Sequence, residues 1–395
     1  MKKLFLSVIG LYLTLVAAFS QRTITTDSAY KPRKLSFEEV NIVSSYYHQE
    51  GNNAAVTGGT GSEKLTDLAF TLDVKFIKYD RKQRKHSLTT EIGFDHYTSA
   101  SSDKVDPATI SSASASDNRI YPSLQWSVEN ETKGHTIGAG LSFSTEYDYV
   151  SLGANASVSK KTKNRNGEFT GKVQLYLDNV SLIYPIELRS SIPAASGYAK
   201  RNSFSGGLQW AQIINRQLQL QLEGELIYQE GYLGLPFHRV YFNDNSVHVE
   251  KQPDTRLKIP LGIRASYFIG DNLILRGWYR NYHDSWGIGS NAVQLETAIK
   301  LTPFFSVTPF YRFYQQSAAD HFQPFQLHSI AATYYTSNYD LSKFNSNFFG
   351  AGIRIAPPSG VFHISHFTSL ELRYGHYKKT TGMNANIISL HTGFK

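Results

Sequence analysis

The stretch Gln217-Leu218-Gln219-Leu220-Gln221-Leu222-Glu223-Gly224-Glu225-Leu226-Ile227-Tyr228 decides the fold. Leu218, Leu220, Leu222, Gly224, Leu226 and Tyr228 share one parity, and Gln217, Gln219, Gln221, Glu223 and Glu225 share the other. Side chains of a β-strand alternate between faces, so this is a strand with one apolar and one polar side. The pattern recurs. In 65–78, Leu68, Phe70, Leu72, Val74 and Phe76 oppose Thr71, Asp73 and Lys75. In 291–301, Val293, Leu295, Thr297, Ile299 and Leu301 oppose Gln294, Glu296 and Lys300. Segments 135–144, 149–160, 169–178, 257–267 and 304–316 follow it less cleanly.

A soluble β-sandwich also alternates. Strand length and connections favour a membrane barrel instead. The strands run to about ten residues or more, the length that crosses a bilayer at a tilt. Counting from 40–48, about sixteen strands reach the C-terminus, and their connections sort by parity. One set lies near 80–86, 131–134, 163–168, 214–216, 269–271, 302–304 and 357–360. The other lies near 50–63, 97–118, 146–148, 181–200, 229–255, 284–289, 317–344 and 377–384, and is mostly long. Short periplasmic turns facing long external loops are how an outer-membrane barrel is built, whereas a sandwich has no reason to sort its loops. Aromatics crowd the strand ends (Tyr46-Tyr47, Tyr147 with Tyr149, Tyr279 with Tyr282, and Phe310 to Tyr314), where interfacial girdles sit. At the C-terminus Ile388, Leu390, Thr392 and Phe394 share a face, similar to the terminal strand signal of such barrels, although Lys395 follows. The expected fold is an all-β, transmembrane antiparallel barrel. Gln219, Glu223, Arg264, Arg276, Arg280, Arg312, Glu371 and Arg373 are its inward candidates, lining an aqueous path or pairing across a packed interior.

Composition agrees. The 395 residues hold 18% charged residues, 25 Tyr, 24 Phe and no Cys, which excludes disulfides, thiolate metal sites and a lipid anchor on Cys. A mean hydropathy of −0.33 excludes a helical membrane protein. Residues 1–20 read as a signal peptide: Lys2 and Lys3, then an apolar stretch from Leu4 to Ala17, then Ala18-Phe19-Ser20 at the cleavage positions. Residues 21–395 would form the barrel. Without Lys2 and Lys3 the formal charge falls from +8 to +6, too slight a bias to imply nucleic acid. The location that follows is the outer membrane of a Gram-negative bacterium, with lipid and the barrel-assembly machinery as partners.

Several segments resemble one known family: Glu39-Val40-Asn41-Ile42-Val43-Ser44-Ser45-Tyr46-Tyr47, Gly231-Tyr232-Leu233, Tyr282-His283-Asp284-Ser285-Trp286-Gly287-Ile288, Ser317-Ala318-Ala319-Asp320 and 334–341. The resemblance is to domain of unknown function 3570, whose members are predicted outer-membrane barrels without a settled activity. It also implies a cofactor. Asp95-His96-Tyr97-Thr98-Ser99-Ala100-Ser101 is similar to the acceptor read by periplasmic FMN transferases, with Asp95, Thr98 and Ala100 in the recognition string and Ser101 carrying covalent FMN. Genes of this family often neighbour such a transferase and a thioredoxin-like protein, which would make both partners. Against this stands the Ser/Ala-rich character of 98–116, in which a short degenerate pattern arises by chance.

Other chemistry is thin. His363 and His366, three apart on an expected strand, would point to opposite faces and make no metal pair. His283-Asp284 reads as a hydrogen-bonded loop base, since no Ser partner is identifiable. Asp320 and Asp340 lack the ligand spacing of a Ca²⁺ loop. Gly58-Gly59-Thr60-Gly61 lacks a Gly-Lys-Ser/Thr ending and reads as a flexible loop. No enzyme is expected. The function classes that remain are a pore or transport barrel tied to extracytoplasmic electron transfer, a flavin-carrying redox barrel, and a closed structural or partner-binding barrel.

Overall fold

A computed structural model describes residues 33–98, 116–191 and 197–395. The expected signal, 1–20, lies outside them, as do Ala100 and Ser101. Eighteen strands follow in chain order: β1 Ser36–Glu50, β2 Leu65–Tyr79, β3 Lys85–Thr98, β4 Ser116–Asn130, β5 His135–Thr145, β6 Tyr149–Lys161, β7 Gly167–Ser181, β8 Tyr198–Ile213 and β9 Leu218–Gly231. Then come β10 Arg239–Tyr241, β11 Val247–Val249, β12 Thr255–Ile269, β13 Leu273–Asp284, β14 Gly289–Thr302, β15 Phe305–Gln316, β16 Phe344–Ile355, β17 Phe367–Lys379 and β18 Asn384–Phe394. All but β10 and β11 form one antiparallel barrel of 16 strands, closed where β1 pairs with β18 from Val40↔Phe394 to Glu50↔Asn384.

Pairing carries the alternation around the wall. Ile137, Val158, Gly171, Leu208, Gly224 and Leu261 sit opposite one another in successive ladders, so one outer row crosses six strands. Ile137, Val158, Leu208 and Leu261 are 52–60% exposed in the isolated chain. Large apolar side chains this open, recurring over most of the outer wall, need an apolar solvent. The row Trp278, Gln294, Arg312, Phe348 and Tyr377 runs along the inner wall. All eight inward candidates from the sequence lie on the inner parity.

Backbone chemistry sets the short connections. In 80–84 Asp80 Oδ1 accepts from the Lys82 and Arg84 amides at 2.9 and 3.0 Å, and Gln83 turns the chain with φ 59°. Asn215 Oδ1 does the same for the Gln217 and Leu218 amides. The expected turn at 357–360 is corrected: β16 and β17 are joined by 356–366, which includes a 3₁₀ turn at Val361–His363. Pro357 and Pro358 donate no amide to a ladder, and Gly360 takes φ 82°. His363 and His366 therefore lie in a connection rather than a strand, and His366 Nδ1 is 2.9 Å from the Lys395 carbonyl oxygen.

The aromatic girdles also need correction. Neighbours in a strand face opposite ways, so Tyr279 and Tyr311 point outward while Tyr47, Tyr282, Phe310 and Tyr314 point into the lumen. On the outer face, at mid-strand, the tyrosines are more orderly than a crowd of rings. Tyr279, Tyr311 and Tyr374 each donate a hydroxyl hydrogen bond to an Asn on the next strand, Asn291 at 2.7, Asn347 at 2.6 and Asn386 at 2.8 Å. A phenol anchored this way presents an apolar body outward and leaves no unsatisfied hydroxyl, as an outer wall facing lipid requires.

Candidate functional site

The inner wall carries opposite charge on opposite sides. Arg264, Arg276, Arg280, Arg312, Arg354 and Arg373 project from β12, β13, β15, β16 and β17. Across the barrel β2 to β4 present Asp67, Asp73, Glu91, Asp95 and Asp117. Part of the arginine side is paired. Glu296 accepts from Arg276 Nη1 at 2.8 Å and Arg373 Nη2 at 3.0 Å, and Arg373 Nη1 also reaches Glu371 at 3.3 Å. Glu223 lies 3.6 Å from Arg264. Arg280 and Arg312 have no carboxylate partner among the described residues, and Arg312 lies over the Phe348 ring at 5.1 Å. Of the two interiors the sequence left open, the structure has features of both: a braced network, and water-sized space beside it.

Two recesses border Arg280. One, of about 360 Å³, has Lys172, Gln209, Glu223 and Glu225 in its wall. The other, of about 480 Å³, is lined by Trp278, Arg280, Tyr282, Arg312, Tyr314 and Tyr377, with Ser290, Ser346, Ala292 and Phe344 completing it.

Above this space the long connections fold into a cap. Arg239, 5% exposed, donates from Nη1 to the Val56 carbonyl at 2.9 Å and from Nη2 to Glu187 at 3.0 Å, tying three loops together. Glu250 joins 232–254 to 317–343: its carboxylate accepts from Thr336 Oγ1 at 2.5 Å and from the Leu235 amide at 2.9 Å, with the His238 ring 3.8 Å away. Burial opposes ionisation there, yet these donors and the neighbouring imidazole hold the Glu250 carboxyl below its ordinary range. Phe242 packs against His248, His328 and Tyr335. The sequence reading of Gly58-Gly59-Thr60-Gly61 as a flexible loop is corrected. Gly58 and Gly59 are buried in the cap with φ of 81° and 84°, and a Cβ on Gly59 would come within 2.6 Å of the Ser337 carbonyl oxygen. Only glycine meets both demands.

Asp284 is the loop base foreseen from sequence. Its Oδ1 accepts from the Trp286 and Ile288 amides at 2.9 and 3.1 Å, and its Oδ2 from Tyr282 Oη at 2.6 Å and Arg256 Nε at 3.0 Å. His283 faces the other way. Asp340 is held by Lys379 Nζ at 2.6 Å. Sequence reasoning missed a different group: Asp117, Glu146 and Asp148 bring one carboxylate oxygen each to within 4.8 Å of one another at the loop-side mouth. Their spacing in sequence carried no signal, because Asp117 comes from β4 and the others from the β5–β6 connection. They offer oxygen ligands of the kind a hard cation takes. Burial, and then the charges of Glu146 and Asp117, push the Asp148 carboxyl up to about 6. A carboxyl raised in the folded state stabilises it most below its unfolded value near 3.8, and that contribution is lost as pH rises through about 6. Asp148→Asn should therefore raise stability at pH 7 by on the order of 1–2 kcal/mol and flatten its fall between pH 4 and 7, read from denaturant midpoints. An unchanged pH profile would remove this account.

Of the string implied to carry flavin, Asp95 and Thr98 lie in β3. Asp95 faces the lumen and accepts from Tyr121 Oη at 2.9 Å, and Thr98 Oγ1 accepts from the Thr66 amide at 2.9 Å. Ala100 and Ser101 are outside the described residues.

Residues 81–383 match the family described as Protein of unknown function (DUF3570). The chain belongs to that family. The match bears out the resemblance read from 231–233, 282–288, 317–320 and 334–341, while Glu39 to Tyr47 precedes its start. No curated protein matches. Among solved structures, the chain is similar to Pseudomonas aeruginosa OpdK with vanillate, at 7% identity and TM-score 0.42, covering 92% of this chain and 99% of that one. It is also similar to a BenF-like porin from Pseudomonas fluorescens Pf-5, at 8% identity and TM-score 0.44, covering 92% and 100%. The closed 16-strand architecture stands on the chain's own ladders, without these distant likenesses.

Proposed function

We propose that this member of the family is an outer-membrane channel with a folded cap, whose lumen favours small anionic solutes. The outer apolar wall supports the membrane location, with the barrel-assembly machinery inserting it and the capped mouth facing outward. The observation that carries the selectivity is the presence of Arg280 and Arg312 inside the lumen without an ion-paired carboxylate among the described residues. Fixed positive charge in a low-dielectric bore raises the local concentration of anions and repels cations. In planar bilayers under a KCl gradient, the reversal potential should have the sign of chloride preference. A cation preference, or no conductance from either the full chain or a chain lacking its cap, would overturn the reading.

A second reading, FMN on Ser101 serving electron transfer with the transferase and thioredoxin-like partners, rests on the 95–101 string. In the folded barrel Asp95 and Thr98 are paired strand residues, so a transferase would have to read the string before the barrel forms. The intact mass of protein from native membranes would show one flavin or none.

A further inference from the structure

We propose that the recess between β13 and β17 is a binding site for a planar aromatic monocarboxylate. This deepens the channel reading and rests on it for access to the site. The recess lies just beneath the cap, where Tyr282 and Phe344 form its upper edge and Trp278, Arg312 and Tyr377 its lower row. Its volume of about 480 Å³ falls within the range of small-molecule pockets.

Three features select the ligand. Arg280 and Arg312 supply two guanidinium groups that make no ion pair with a carboxylate of the described residues, although the same arc spends Glu296 on Arg276 and Arg373. A guanidinium presents donors in a planar fork that fits a carboxylate. Arg312 is also oriented, since it lies over Phe348. Second, five aromatic side chains (Trp278, Tyr282, Tyr314, Phe344 and Tyr377) make up half of the wall. Such a lining rewards a flat apolar body and gives nothing to a strongly hydrated ion such as phosphate. Third, Ser290, Ala292 and Ser346 make the rest of the wall small, which sets the aromatic side chains apart around the recess. The neighbouring recess shares Arg280 but sets Glu223 and Glu225 beside it and Lys172, so its wall carries both signs of charge and few aromatic rings.

The test uses the full chain purified in detergent, with benzoate as the probe and titration calorimetry as the readout. Saturable binding of one benzoate per chain is expected, with cyclohexanecarboxylate weaker by about tenfold and neither benzyl alcohol nor inorganic phosphate binding. Arg280→Gln and Arg312→Gln should each weaken benzoate by at least about tenfold, in protein whose heat-modifiable gel mobility shows a folded barrel. The proposal is overturned if benzoate gives no saturable heat, if phosphate competes equally, or if both folded variants bind as the parent does. Bilayer recordings on the same preparation separate the two readings. Anion conductance without benzoate binding removes the site and leaves the channel, whereas binding without conductance removes the channel and leaves the site.

Discussion

Replacing residues 318–341 by a short Gly-Ser link should raise single-channel conductance by roughly several-fold, because a 16-stranded wall encloses a water-wide lumen once nothing covers it. The segment supplies one side of the cap through Thr336, which is fully buried, and His328, which is 2% exposed. Its removal also takes away the Thr336 hydroxyl that Glu250 accepts from, so 232–254 loses its main tie across the mouth. The ends of β15 and β16 stay paired from Phe305↔Ile355 to Gln316↔Phe344, and the barrel itself keeps every ladder. An unchanged conductance, in protein shown to be folded by gel mobility, would mean the cap does not limit flow.

A second large effect is expected on the outside. Leu222 is 51% exposed and lies between Trp210 and Ile263 on the outer face. Leu222→Arg should destabilise the barrel in vesicles by up to about 2–4 kcal/mol, the range for an arginine on the lipid face. The inward change Ser266→Arg on the adjacent strand should cost far less, since it faces water and Gln219. Equal costs for the two, measured by urea unfolding in lipid, would contradict the assignment of faces and with it the membrane location.

Much of the wall was legible in the chain itself. A period of two in 217–228 determines which side of β9 faces out, and the sorting of connections by parity separates the two rims. These signals are local, and each strand repeats them. The departures have local causes too. At 356–366 two prolines and a positive φ lengthen a turn that alternation alone had placed at four residues, and the girdle reading overlooked that Tyr46 and Tyr47 must part company. The site was hidden for a different reason. Arg280 and Arg312 were legible as inward residues, but that neither is ion-paired among the described residues depends on where Glu296 and Glu371 point, and those acids come from β14 and β17. The acidic trio at Asp117 and the cap's Arg239 and Glu250 are likewise joined by the third dimension, across separations in sequence that no short motif spans.

The closing ladder from Val40↔Phe394 to Glu50↔Asn384 has a mechanical consequence. In an open sheet the outermost strand can peel away by breaking one row of hydrogen bonds. Here every strand of the barrel is held on both flanks, so departure of any one means tearing two seams at once, with nothing in the surrounding hydrocarbon to take up the freed amides. The barrier to leaving the folded state is therefore steep even where the net stability is modest. Persistence in the membrane becomes a matter of rate rather than of equilibrium. A chain lacking β18 would not merely be weaker. It would have two raw edges, β1 and β17, and would be expected to find partners in other copies of itself.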